Sequence, residues 1–480
     1  MWMDATSMAQ AVREKKVTPT ELVEEAIKKI EKHNPNLNAV VYKQYEEALQ
    51  RAQSADFTGK LFAGVPILLK DLGQNQAGHL STSGSRLFVH FRAQGTDNYV
   101  KKLEELGFIV LGRTNIPEFG FKNISDSSLH GVVHNPFDLG QNAGGSSGGA
   151  AAAVASGMVP LAAASDGGGS IRIPASFNGL IGLKPSRGRI PVGPSSYRGW
   201  QGASSQFALT KSVRDTKNLL YGMQVCQLES PFPLPLLQNE KHKSSLKIAF
   251  SVESPIGSHV SEDAKQAVLS LLPILEKMGH EVIEMSGQPI NGVEAMQSYY
   301  IMNSVETAQM FDEIEAGFGR AMTPDDMEVM TWAIFRSGQK IPAKLYSKVL
   351  QDWDRYSAKM WDFHQEFDLL LTPTVNGSAP KHGQFALGKE LQEKLLHMDE
   401  FDMEKQQELI WEMFAESLSW TPFTQQANLT GQPAISLPTY ETVEGLPLGT
   451  QFTAAKGREN LLLQLASELE TTGILRCETF

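Results

Sequence analysis

Two cysteines in 480 residues, Cys226 and Cys477, supply neither a disulfide framework nor a cluster of thiolate ligands. No apolar run reaches the length that spans a bilayer. The N-terminal part carries Thr18, Thr20, Glu21, Glu24 and Glu25 in a helical pattern and lacks the apolar stretch of a signal peptide. Basic charge is in deficit: 43 Lys and Arg face 54 Asp and Glu, a net charge of −11 that argues against a nucleic-acid partner. Low-complexity blocks are absent, and with 41% apolar residues the chain can bury a large core. The metalloprotease pattern H-E-x-x-H is missing. His130 and His134 stand four apart, but Gly131 and Pro136 weaken any helix that would hold them as ligands, so a structural or surface role is expected. These absences together predict a soluble cytoplasmic protein with no metal, cofactor, membrane or nucleic-acid partner.

What the chain has in excess is glycine beside serine, concentrated in residues 143–191. Two clusters, Gly144-Gly145-Ser146-Ser147-Gly148-Gly149 and Asp166-Gly167-Gly168-Gly169-Ser170, are joined by a run of small residues. Glycine is costly in backbone entropy, so such density implies a need for bare backbone. Close approach of N–H groups to a ligand or a developing negative charge is the expected use, with serine as nucleophile or proton carrier. A flexible linker is the plain alternative for a short GGSSGG. Against it, Ala150 to Ala164 is almost wholly apolar or small and should be buried. A phosphate loop needs Lys directly after its glycines, and the dinucleotide spacing G-x-G-x-x-G is poorly met. Gly144 to Gly148 fits the G-x-S-x-G nucleophile elbow formally. That elbow follows an apolar strand, whereas His134 to Asn142 is turn chemistry.

The arrangement resembles the amidase signature family, serine hydrolases that cut carbon–nitrogen bonds. Its three shared parts stand in order: Gly144 to Gly149, Asp166 to Pro174 (D-x-G-G-S-I-R-x-P) and Gly182 to Pro185. The family's Lys-Asp after an apolar strand appears as Lys70-Asp71, and the likeness extends to Phe367–Pro373 and Asn428–Ala434. The resemblance implies an α/β fold with a large mixed sheet covered by helices on both faces, residues 1–480 forming a single domain with a helix-rich segment at about 291–425. It implies Ser170 as nucleophile, Ser146 after a cis peptide as proton carrier and Lys70 as base. The N–H groups of Gly167, Gly168, Gly169 and Ser170 would form an oxyanion hole. Ser147 would hold the loop, and Asp166 with Arg172 would orient it as a buried ion pair. In isolation a Lys ending an apolar strand reads as a solvated terminus; the resemblance reverses that reading. To act as a base, Lys70 must be desolvated by two to three pKa units, which costs roughly 3–4 kcal/mol of stability. Ile67, Leu68 and Leu69 are suitable surroundings.

Many family members carry a bulkier residue in place of Gly167. The variant DGGGSIRIPAS followed by LKPSRGR looks closest to the branch of 6-aminohexanoate cyclic-dimer hydrolases and general amidases. A looser loop and a roomy apolar pocket follow as expectations, with Trp411, Trp420 and Phe423 as candidate wall or as core packing. The implied partner is a small-molecule amide; a homodimer is allowed. Two other readings stay open: the amidase subunit of a tRNA-dependent amidotransferase, and a catalytically inactive binding protein.

Along the chain, helices are expected at Ala9–Lys15, Thr20–His33, Tyr45–Ser54, Thr96–Leu106, Glu262–Met278 and Glu459–Thr471. Strands are expected at Gly64–Leu69, Phe108–Leu111, Val159–Ala164, Leu180–Lys184, Leu246–Val252, Glu281–Met285, Phe367–Thr372, Ala434–Leu437 and Gly449–Thr453. The polar, proline-rich Glu229–Ser245 should lie on the surface.

Overall fold

The computed structural model describes residues 4–238, 243–285 and 287–477. Among the described residues thirteen strands are formed: β1 (Val40–Lys43), β2 (Pro66–Lys70), β3 (Ile109–Thr114), β4 (Asp126–Ser127), β5 (Gly131–Val132), β6 (Ala162–Asp166), β7 (Ile181–Lys184), β8 (Ser205–Thr210), β9 (Lys247–Phe250), β10 (Glu281–Glu284), β11 (Leu369–Pro373), β12 (Ala434–Glu441) and β13 (Pro447–Ala454). Eleven of them build one sheet in the order β1-β3-β2-β6-β8-β7-β12-β13-β11-β9-β10; β4 and β5 pair separately. The sheet is mixed: β3-β2-β6 and β11-β9-β10 run parallel, while β8, β7, β12 and β13 are joined antiparallel.

Burial explains why its strands read as continuous apolar runs rather than alternating ones. Every residue of β2, β3, β6, β7, β11 and β13 is buried, which requires cover on both faces. The all-buried helix Gly148–Ala155 packs on β2, β3, β6 and β8. The short helix Arg172–Phe177 packs on β7, β12 and β13.

The segment expected to be helix-rich holds the helices Gly292–Phe318, Val329–Gly338, Ala343–Glu366, Lys389–Leu396 and Met403–Trp420, interrupted by β11. The expected helix at Glu262–Met278 is two, Glu262–Leu269 and Leu272–Lys277. No helix among the described residues is long and apolar enough to cross a membrane. In the proline-rich stretch, residues 239–242 lie outside the described residues, and Ser230 and Leu237 are buried against the body rather than exposed.

One register places the site. β2 and β6 are neighbours and parallel, with Leu68 opposite Ala162. Their carboxyl ends therefore meet at one edge, bringing Lys70 beside Ser165 and Asp166.

Candidate active site

Lys70 is fully buried, and its ammonium nitrogen lies 2.8 Å from Ser146 Oγ and 2.9 Å from Ser165 Oγ. Burial pushes its pKa down to about 7, against the opposing pull of the Asp166 charge. A lysine in this state is partly neutral near neutral pH and can take a proton from a hydroxyl it touches. Lys184 is equally buried and is lowered to about 7 by burial and then by Arg172. Its ammonium group, however, donates to the Pro185 carbonyl and to no serine hydroxyl. Titration alone would nominate both lysines; contact with Ser146 selects Lys70.

The Gly145–Ser146 peptide is cis. Ser146 is buried at the entrance to the helix Gly148–Ala155, and Gly120 leaves room for it: a Cβ there would sit 3.2 Å from Ser146 Oγ. Ser147 Oγ donates to the Ser165 carbonyl at 3.2 Å, tying this loop to β6. The glycines of the first cluster serve close packing rather than the expected approach of a ligand. A Cβ at Gly145 would meet Ile124 backbone at 2.7 Å, and one at Gly149 would meet Asn115 N at 2.5 Å. Bare backbone is needed here for packing of the protein against itself, not for a ligand.

Asp166 and Arg172 are both fully buried and form two hydrogen bonds of 2.9 Å, from Nε and Nη2 to the two carboxylate oxygens. The remaining donors of Arg172 reach Thr424 O, Gln451 Oε1 and Asn428 Oδ1, each at 2.7 Å. Asn428 in turn donates to Asp166 Oδ1 at 2.8 Å. Burial works against the Asp166 charge, but Arg172, Lys184 and Asn428 hold its pKa below the usual carboxylate range. Arg172→Leu should therefore cost about 3–5 kcal/mol in chemical denaturation, because it strands a buried carboxylate.

The loop between them carries one correction. Gly169 N–H donates to Asp166 Oδ1 at 2.7 Å, so it is occupied and cannot serve an oxyanion. The N–H groups of Gly167, Gly168 and Ser170 meet no protein acceptor among the described residues. Gly167, Gly168, Ser146 and Ser170 all line one cavity. Among the described residues, no hydrogen bond joins Ser146 to Ser170, whose hydroxyl has no protein partner.

That cavity is small, about 70 Å³, and its wall mixes polar groups with Phe119, Phe121, Trp200, Tyr299, Tyr300 and Phe414. The expected roominess over Gly167 is absent, since a Cβ there would meet the Trp200 ring at 3.2 Å. A larger cavity of about 390 Å³ shares Leu72, Phe119, Phe121, Ser165, Trp200 and Ser204 with the first. Trp411, Trp420 and Phe423 are not in the wall. Trp411 packs edge-on against Tyr300, Trp420 donates to Ser378 O, and Phe423 joins the core with Ile173 and Phe177. Residues unassigned from the sequence, Ser165, Thr424, Gln425 and Asn428, complete the site. His130 and His134 turn to different partners, Thr82 Oγ1 and the Leu139 carbonyl.

The amidase family model matches residues 21–463. A lipoamidase of Enterococcus faecalis is 40% identical over 467 residues, which cover 97% of this chain and 63% of that protein's length. A 6-aminohexanoate-cyclic-dimer hydrolase of Paenarthrobacter ureafaciens is 32% identical over 483 residues, covering 98% and 94%. A solved structure of 6-aminohexanoate cyclic dimer hydrolase complexed with substrate superposes with a TM-score of 0.89 at 32% identity, covering 99% of this chain and 97% of that one.

Proposed function

Because the chain belongs to the amidase signature family of amide hydrolases, we propose that it cleaves small-molecule carboxylic amides through an acyl-enzyme on Ser170, with Lys70 as base and Ser146 as proton carrier. The observation that carries this reading is the 2.8 Å contact between a fully buried Lys70 and Ser146 Oγ, at the cavity that Ser170 also lines.

An amide is a poor electrophile with a poor leaving group, so both the nucleophile and the departing nitrogen need help. Neutral Lys70 takes the Ser146 proton as Ser146 takes that of Ser170, and Ser170 Oγ bonds to the amide carbon. The carbonyl oxygen becomes an oxyanion facing the N–H groups of Gly167, Gly168 and Ser170. The proton returns along the same path to the nitrogen, the C–N bond breaks and the amine leaves. Water then repeats the sequence on the ester, releasing the acid and restoring Ser170. Asp166, Arg172 and Ser147 hold the loops that keep these groups in place. The reading takes residues 1–480 as one catalytic unit, since the sheet draws strands from Val40 to Ala454 and the helix-rich segment supplies part of the cavity wall.

Substrate scope follows from the two cavities. The inner one admits the reacting amide and little more, and a longer apolar chain must pass Trp200 to reach the larger space. Trp200 and Gln201 are both held in the left-handed backbone region, with φ of 48° and 50°. Such residues cost about 1–3 kcal/mol each and persist where their surroundings impose them. Trp200→Ala should raise kcat/KM for long acyl chains relative to acetyl amides. Each further methylene then buried is worth about 0.8 kcal/mol in transition-state binding. A kcat/KM series over acyl length in both proteins tests this. A parallel fall at every length would place Trp200 in the scaffold, and strong preference for glutamine would favour the amidotransferase reading instead.

A further inference from the structure

Among the described residues, one buried acceptor on a side chain lining the catalytic cavity has no donor. Gln425 is 5% exposed and lines the cavity, and its Oε1 has no hydrogen-bond partner. The orientation of this amide is dictated by its other end. Gln425 Nε2 donates to the Thr421 carbonyl at 2.9 Å, and a carbonyl only accepts. Turning the group over would place two acceptors together, so Oε1 is the end left unpaired, on a side chain that lines the cavity. A buried acceptor left unpaired costs about 1–3 kcal/mol, and native proteins rarely keep one without a use.

Its position is equally constrained. The preceding residue, Thr424, donates from Oγ1 to Gly168 O at 2.7 Å and accepts from Arg172 through its carbonyl. Gln425 Cγ lies 3.7 Å from where a Gly168 Cβ would stand. The Gly168 peptide thus turns its carbonyl to Thr424, while its N–H meets no protein acceptor among the described residues and the Gln425 side chain packs beside it. Unpaired N–H donors and one unpaired acceptor thus belong to residues lining the same cavity, a set complementary to C=O and N–H of one amide group.

We propose that Gln425 Oε1 accepts the N–H of the scissile amide, making the site selective for primary and secondary amides over esters and tertiary amides. This rests on Ser170 being the nucleophile. An ester oxygen would turn lone pairs toward Oε1, and a tertiary amide would turn a methyl group toward it. In the tetrahedral intermediate, the same bond fixes the nitrogen so that its new lone pair points away from Gln425, free to take the returning proton.

The test uses three substrates with one acyl group: an anilide, its N-methylanilide and the phenyl ester. In Gln425→Met and Gln425→Leu, the anilide-to-ester ratio of kcat/KM should drop about tenfold or more. An unmoved ratio, including an equal loss on both substrates, overturns the assignment. A measurement on the unaltered protein keeps it open to refutation if these variants fail to fold. There, N-methylation should lower kcat/KM at least about 100-fold; comparable turnover of the two anilides overturns it. Hydrolysis surviving in Ser170→Ala would sink the underlying reading, whereas an inert Ser170→Ala with an unmoved ratio sinks the role of Gln425 alone.

Discussion

Ser170→Ala should abolish amide hydrolysis, by about 10⁴-fold or more, and leave the fold intact. The loss is large because every covalent step of the proposed mechanism passes through Ser170 Oγ. Neither Ser146 nor Ser147 can take its place. In the proposed relay Ser146 Oγ is held at the Lys70 nitrogen as proton carrier, and Ser147 Oγ is spent on the Ser165 carbonyl. The fold should tolerate the change because, among the described residues, the Ser170 hydroxyl has no protein hydrogen bond to lose, so stability should move by less than about 1 kcal/mol. Turnover and denaturation curves on the same preparation check both halves. Ser146→Ala should be damaging but milder, since a water can partly replace a proton carrier.

The second large effect is at Lys70. Lys70→Arg and Lys70→Met should each lower kcat/KM by about 10³-fold or more, because neither side chain can accept a proton near neutral pH. For the unaltered protein, activity should rise with pH through about 7, as the buried ammonium loses its proton. The stability effect has a definite sign. The folded pKa lies below the ordinary lysine value of 10.5, so between about pH 7 and 10.5 the unfolded chain binds the extra proton. Stability is therefore reduced in full below pH 7 and recovers as pH rises through that window. Lys70→Met removes the penalty and should be more stable than the parent at pH 6, while Lys184, lowered in the same way, keeps its own share of the slope. A loss of activity joined to a gain in stability is the pattern expected of a functional buried charge. Near-normal turnover in Lys70→Arg is incompatible with the relay.

The parts of this site that were legible in the sequence are those set by short-range chemistry. Ile67 to Leu69 read as a buried strand, although Lys70 at its end reads locally as a solvated terminus and gains its role only from the family resemblance. Asp166 and Arg172 are charges in so apolar a stretch that they had to be paired. The strands β2, β3, β6 and β7 end within a few residues of their expected places. What escaped was set by tertiary packing. β8 (Ser-Gln-Phe-Ala-Leu-Thr) follows a stretch rich in glycine, serine and arginine, and nothing local marks it as a strand buried between β6 and β7. The helix Gly148–Ala155 opens on two glycines, poor helix formers, chosen because Ser125 and Asn115 press against them. In the helix Met403–Trp420, Trp411, Phe414 and Leu418 recur at helical spacing. That period marks Phe414 and Leu418 rather than Trp420, and these two line the cavity. Asn428 and Gln425 lie more than 250 positions after Asp166, and no pattern along the chain announces that they meet it and the loop that follows.

The central claim is that Ser170 carries the acyl group and Ser146 only passes protons. A fluorophosphonate probe with peptide mapping separates the two serines directly. The account predicts one covalent adduct on Ser170, formed more slowly in Lys70→Met and not formed in Ser170→Ala. An adduct on Ser146, with Ser170→Ala still labelled, would contradict it.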